Sequence, residues 1–318
     1  MKRHLPLLRS LAPLGGLVLL VVFFAAVTKG DSLGVSNLQS LSNQVIVTAL
    51  VATGAIFVFG SGNLDMSMGA CVCLSAVLGA MVAIPTGSIW LAFAVCMGSA
   101  LVVGLLKGVF AAYVEVTVFI VTIVLGMVIT AGVLVLMGDK ANLLLPVTAP
   151  AIQQFNFSQM TLVNVLTLGS FLVLCWVVFV FGALGKSLKI LGGSDVVARQ
   201  TGYVVKRTKI LAFLMGAIGT GLAAFIILIR TRTVGASTGS SLGTDVLVAL
   251  VLGGMPLTGG PRSSIYAGVV GAASITVLTN GLTMMGLPLS VIQTCRGVVF
   301  MVVVFIASMS YRTRLLPR

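Results

Sequence analysis

Residues 45–60, VIVTALVATGAIFVFG, run straight into 61–69, SGNLDMSMG, and then into 70–84, ACVCLSAVLGAMVAI. Across all of 45–84 the one charged side chain is Asp65. A surface helix of a soluble protein keeps a polar face; here apolar residues occupy every face. Each flanking run approaches the roughly 20 residues that cross a bilayer core as a helix. The stretch therefore reads as two membrane spans, 43–60 and 66–84, joined by a short segment of glycine, amide, hydroxyl and carboxylate groups.

Working outward, the same pattern recurs along the whole chain. Apolar runs separated by glycine, proline or charge predict spans at about 11–28, 43–60, 66–84, 89–106, 118–136, 161–183, 210–229, 242–258, 264–281 and 288–309. The chain has 318 residues, of which 58% are hydrophobic and 8% charged, against about 25% charged in a soluble domain. Ten spans use most of this length, so a large soluble catalytic domain has no room. Continuous apolar runs also exclude a β-barrel, whose strands alternate. The expected fold is all-α: a polytopic single transmembrane domain over 1–318. The first run follows Lys2, Arg3 and Arg9 as a signal peptide would, but it lacks a clean small-residue cleavage site and reads as an uncleaved helix.

Charge supplies the orientation. The formal net charge of +13 comes from 19 Lys and Arg against 6 Asp and Glu. In a membrane protein such an excess marks cytoplasmic loops and not a nucleic-acid partner. On the side of the termini the ten-span reading places Lys2, Arg3, Arg9, Lys107, Lys186, Lys189, Arg199, Lys206, Arg207, Lys209, Arg262, Arg312, Arg314 and Arg318. The opposite side holds Lys29, Lys140, Arg230 and Arg232, with Arg296 inside the last span. Both termini are thus expected in the cytoplasm, with the lipid bilayer as the first partner. The longest external loop is 137–159 and the longest internal one is 184–209.

Catalytic chemistry finds little purchase. The single histidine, His4, lies in the basic N-terminal tail, which disfavours histidine triads and histidine metal sites. Cys71, Cys73, Cys96, Cys175 and Cys295 all lie in apolar runs and read as packing residues. The acids Asp31, Asp65, Glu115, Asp139, Asp195 and Asp245 are scattered, so no carboxylate pair is apparent and no metal is expected. Gly185-Lys186-Ser187 imitates the end of a phosphate-binding loop, yet the glycine required five residues earlier is Val180. No nucleotide cofactor is expected on this chain, and any ATP must be bound by a partner.

A weak internal repeat stands out. Gly62-Asn63-Leu64-Asp65-Met66-Ser67-Met68-Gly69 corresponds, at an offset of 191, to Gly253-Gly254-Met255-Pro256-Leu257-Thr258-Gly259-Gly260. Both copies follow an inward-running span, so the halves are parallel. Glycine-interrupted segments in matching positions point to a translocation site; tight turns with small residues for close helix packing explain them equally well. Asp65 and Asp245 are costly so near the membrane interior. They can face a polar cavity, cap a broken helix, or pair with Arg230, Arg232 or Arg296. Thr233, Ser237, Thr238, Ser240 and Ser241 form an outer polar stretch that either rims an entrance or is a plain loop.

Several segments together resemble the membrane permease subunits of bacterial ABC importers of the ribose/xylose/arabinose/galactose type. GNLDMSMG (62–69) is similar to the family's GGIDLSVG-like segment, and VLGGMPLTGG (251–260) to its VLGGTSLSGG-like segment. GTDVLVALVLGG, with Asp245, resembles YELDAIAAVVLGG. LTNGLTMMGL, with Asn280 and Gly281, resembles LNNGLNLLG, and FIVTIVLGM (119–127) resembles PFIVTLGTM. GGSDVVARQTGYVVKRTKILAF (192–213) resembles GGNPEAARLSGINVKRVKLLVF. The chain departs from the pattern at Asn63 for glycine, Lys107 for asparagine, Val118 for proline, Val196 for glutamate, Pro256 for serine and Thr258 for serine.

The resemblance implies a permease in the bacterial inner membrane moving a small polar solute, most simply a monosaccharide. A nucleoside or branched-chain amino acid permease, or a stand-alone secondary transporter, is the alternative. Its implied partners are a cytoplasmic ATP-binding subunit, an extracytoplasmic solute-binding protein and a second permease chain, identical or different. Asn63, Asp65, Ser67, Asp245, Thr258 and Asn280 become candidates for the translocation path. Gly193, Ser194, Asp195, Val196, Ala198, Arg199 and Gly202 form the expected ATPase-coupling element. The residues themselves support a short helix there, capped by Ser194 or Asp195 and stopped by Gly202; a helix lying on the anionic inner leaflet explains the same basic flank.

Overall fold

In lipid, backbone amides have no water to bond, so the apolar runs close their hydrogen bonds within helices. A computed structural model describes residues 5–114, 116–145, 157–256, 259–261 and 263–315. Its helices are α1 (Leu5–Val27), α2 (Val35–Gly60), α3 (Met68–Thr86), α4 (Ile89–Tyr113), α5 (Val118–Met137) and α6 (Phe157–Val180). They continue as α7 (Ala183–Leu191), α8 (Asp195–Gln200), α9 (Val205–Thr231), α10 (Leu242–Leu252), α11 (Tyr266–Met284) and α12 (Leu289–Leu315). Among the described residues seven helices, α2 to α6, α9 and α11, are long and apolar enough to cross a membrane. Shorter apolar stretches lie in α1, α10 and α12.

Several boundaries differ from the sequence reading. α2 starts at Val35, not near 43, because the polar run SNLQSLSNQ forms its first turns. α10 stops at Leu252 and not 258: Gly253 packs against the Ala267 carbonyl, and Gly254 takes φ +84°. With eleven residues α10 is about 16 Å long, far short of a bilayer core. The loop 184–209 is structured throughout most of its length. Leu184, Leu188 and Leu191 recur at helical spacing and turn inward from α7, while Lys186 faces out. The last residues of that loop, from Val205, already belong to α9.

α2 is the hub. From Ile46 to Gly60 every residue is buried, enclosed by α9, α11, α6 and α10. Lipid gives no hydrophobic drive between helices, so close packing by small residues carries association. Gly54 of α2 faces the backbone of Gly216 in α9, and a Cβ on Gly219 would strike the Leu50 carbonyl. On its other side α9 meets α4, where Gly104 faces Ala217 and Gly108 faces Ile210. α11 approaches α2 through Gly268 and α10 through Gly271.

The one departure from an all-helical fold among the described residues is a two-stranded ribbon. β1 (Asn142–Leu144) and β2 (Thr233–Gly235) pair antiparallel, with Leu143 opposite Val234. The loop after α5 is therefore tied to the segment just before α10.

Candidate functional site

After Gly60 the chain folds back on itself instead of continuing as helix. Ser61 and Gly62 turn on the carbonyls of Phe57, Val58 and Phe59, and Asn63 donates to the Ser61 hydroxyl at 2.8 Å. Residues 63–67 then run without regular structure to the start of α3. Asp65, 2% exposed, closes this segment: its Oδ1 accepts from the Ser67 amide at 2.9 Å and the Ser67 hydroxyl at 2.7 Å. Its other oxygen pairs with Lys107 Nζ at 2.6 Å. Lys107 also donates to Ser67 Oγ and contacts Cys71 Sγ. The Met66 amide donates to Thr122 Oγ1, which fixes the segment to α5.

Lys107 corrects the sequence reading. It does not sit in a cytoplasmic loop: it is buried, 5% exposed, inside α4. It, and none of Arg230, Arg232 and Arg296, is the cation that neutralises Asp65. A carboxylate near a helix start also gains from the aligned peptide dipoles, so α3 begins on a charge-balanced, hydrogen-bonded knot.

The start of α10 meets this knot. A Cβ on Gly69 would strike the Gly239 carbonyl, and one on Gly243 would strike the Met66 carbonyl. Two helix N-termini, those of α3 and α10, are thus brought to one place by glycines. Asp245, in the first turn of α10, accepts from Ser241 Oγ at 2.9 Å and forms an ion pair with Arg296 of α12, one of the cations weighed for it. The polar stretch Thr233–Ser241 is largely turn-forming: Thr238 Oγ1 accepts from the Gly235 amide.

The late glycine segment closes on the early one. The Gly260 amide donates to the Gly60 carbonyl, and Gly259 lies against the backbone of Phe59, Gly60 and Gly62. Thr258 lies outside the described residues. Gly192, at the end of α7, packs on both Gly60 and Gly260. Three glycine turns from distant parts of the chain therefore touch at the end of α2. Asn280 stands elsewhere, making a reciprocal amide pair with Asn37 at the start of α2, at 3.0 and 3.1 Å.

The segment around residues 192–202 forms the short capped helix expected of it. Ser194 Oγ accepts from the Val197 amide as N-cap of α8, Asp195 pairs with Lys209 at 3.2 Å, and Gly202 turns out of the helix at φ +84°. Gly193 precedes the cap and is exposed. Ala198 is buried against Leu191 and Val205. Val196, 63% exposed, points away with Val197 and Val204, and Arg199, Lys206 and Arg207 are exposed beside them.

Sequence reasoning missed a polar recess at the start of α2, about 530 Å³ in volume and lined by Ser36, Gln39, Ser40, Asn43, Gln44 and Arg230. Arg230 donates to the Asn43 carbonyl, and Asn164 of α6 donates to the Asn43 side chain at 2.7 Å. The signal was present as polar residues at helical spacing just before the second apolar run.

Apolar helices long enough to cross a membrane meet at glycine turns, with the structured 184–209 segment packed against them, and together they define a multi-pass membrane protein. The family described as "branched-chain amino acid transport system / permease component" matches residues 37–308, and the chain belongs to it. The ribose import permease protein of Escherichia coli is 27% identical over 91% of this chain and 92% of its own length. The galactofuranose transporter permease protein of Escherichia coli is 25% identical over 85% and 79%, and the xylose transport system permease protein of Haemophilus influenzae is 25% identical over 86% and 88%. The chain is a multi-pass inner-membrane protein.

Proposed function

We propose that the chain is the transmembrane subunit of an ABC importer for a monosaccharide, moved by ATP that a cytoplasmic partner binds and hydrolyses. The observation that carries this reading is α8: exposed Val196, Val197 and Val204 within a basic rim suit helix-in-groove recognition, apolar anchors giving affinity and charge orientation. Its neighbour α7 ends at Gly192 against Gly60 and Gly260, so a push on this element reaches both glycine segments. An extracytoplasmic solute-binding protein and a second permease chain complete the proposed importer, and the chain holds no cofactor of its own.

The proposed topology has ten spans, both termini in the cytoplasm and two parallel halves. The equal 19-residue lengths of α3 and α11 support the halves. Asn63, Asp65, Ser67, Asp245, Thr258 and Asn280 are proposed to build the walls of the path. Asp65 and Asp245, each engaged by a cation, serve as positioning residues. The hydroxyl and amide groups of the outer recess suit a neutral polyhydroxylated solute, which a few placed polar groups orient.

The test is uptake into cells together with co-purification. An ATPase and an external binding protein should co-purify, and transport should fail on ATP depletion while surviving an uncoupler. No ATPase partner, with uptake sensitive only to the uncoupler, would mean a stand-alone secondary transporter. The family's description favours a second substrate, a branched-chain amino acid; a ligand screen on the co-purified binding protein decides between the two, and would equally reveal a nucleoside.

A further inference from the structure

A second cavity, beside the glycine junction, opens between α6 and α11. Its volume is about 600 Å³, within the roughly 300–1,000 Å³ of small-molecule sites. Leu172, Trp176, Val269 and Val270 make its wall apolar, and Lys189 and Ser264 close one end. From Leu172 to Val180 the lining of α6 covers about 12 Å at 1.5 Å per residue. One leaflet of a bilayer core is about 15 Å deep, half of ~30 Å. The groove is therefore nearly one leaflet deep, apolar along its length and cationic at its end.

The cation has a reason to seek a ligand. Lys189 Nζ lies over the Phe179 ring, 4.9 Å from its centroid, and among the described residues no carboxylate pairs with it. Trp176 and Tyr266 add amphipathic rings of the kind that settle at headgroup level. Neutral acyl chains alone would not require Lys189, and a soluble anion would not require the apolar wall.

We propose that this groove binds one anionic glycerophospholipid, with an acyl chain between α6 and α11 and the phosphodiester headgroup at Lys189 and Ser264. The basic end faces the cytoplasmic leaflet in the topology proposed above. Bound there, the lipid joins α7 to the residues just after the late glycine turn, since Lys189 lies on α7 and Ser263 donates to the Gly260 carbonyl.

The sequence contains two tryptophans, Trp90 and Trp176, which makes the test direct. The whole chain carrying Trp90→Phe is reconstituted into phosphatidylcholine vesicles, and Trp176 fluorescence is titrated with brominated phosphatidylglycerol or brominated phosphatidylcholine. The anionic lipid should quench at about fivefold lower mole fraction, the effect of one lysine at an anionic surface. Lys189→Arg should keep this preference and Lys189→Glu should abolish it. Equal quenching by the two lipids in the parent overturns the proposal, as does a preference that survives Lys189→Glu. Absence of quenching by either lipid overturns it too, because a protein segment then fills the groove. If Lys189→Glu does not insert, the parent and Lys189→Arg titrations still decide.

Discussion

Lys107 is where charge and burial conflict most sharply. A buried ion pair is weak evidence of stability by itself, but removing one partner strands the other and costs about 3–5 kcal/mol. Lys107→Met should therefore lower the melting temperature of the detergent-solubilised chain steeply, and adding Asp65→Asn should restore much of the loss. A second single-residue prediction concerns Gly219, whose added Cβ meets the Leu50 carbonyl and no movable side chain. Gly219→Val should destabilise by about 1–3 kcal/mol or more, read as reduced folded yield by size-exclusion chromatography. In the sequence, Asp65 announced itself as a costly residue, while Lys107 did not. A lysine near the end of an apolar run looks the same whether it reaches out to the cytoplasm or in to a folded-back segment. Only the return of residues 61–67 toward α4 distinguishes them.

At the scale of elements, the long apolar helices and the short capped α8 were legible because each is specified locally. Ser194, Ala198 and Gly202 occupy cap, inward face and stop within nine residues. The start of α2 was not, since polar outer turns resemble a loop in hydropathy and differ only in keeping helical spacing. The β1–β2 ribbon was invisible: three-residue strands pair across some ninety positions, and no periodicity that short is distinctive. Two predictions belong here. Arg199→Glu should reduce transport-coupled ATP hydrolysis while membrane insertion stays normal, measured by ATPase assay on the reconstituted complex. Ser194→Ala removes the N-cap, worth about 1 kcal/mol. It should weaken binding of the ATPase subunit modestly without altering the melting temperature of the transmembrane part.

For the whole molecule, cysteine labelling tests the proposed orientation. Lys140→Cys should react with a membrane-impermeant maleimide in intact cells, and Lys206→Cys only after permeabilisation; the reverse pattern would invert the topology. The native thiols interfere little, four being buried and Cys295 half-buried. Class and family were readable because many segments agree in order along the chain. The meeting of Gly60, Gly192 and Gly260 was not, because it depends on three turns far apart in sequence finding one point. The β1–β2 ribbon ties two distant segments of the chain together. Leu143 pairs with Val234, and only a few residues separate Gly235 from Gly239, which rests on Gly69. A displacement of residues 142–144 would thus pass through the paired strand and the Gly239–Gly69 contact to the junction of α3 and α10, a handle on the interior distinct from the contact that α7 makes at Gly192.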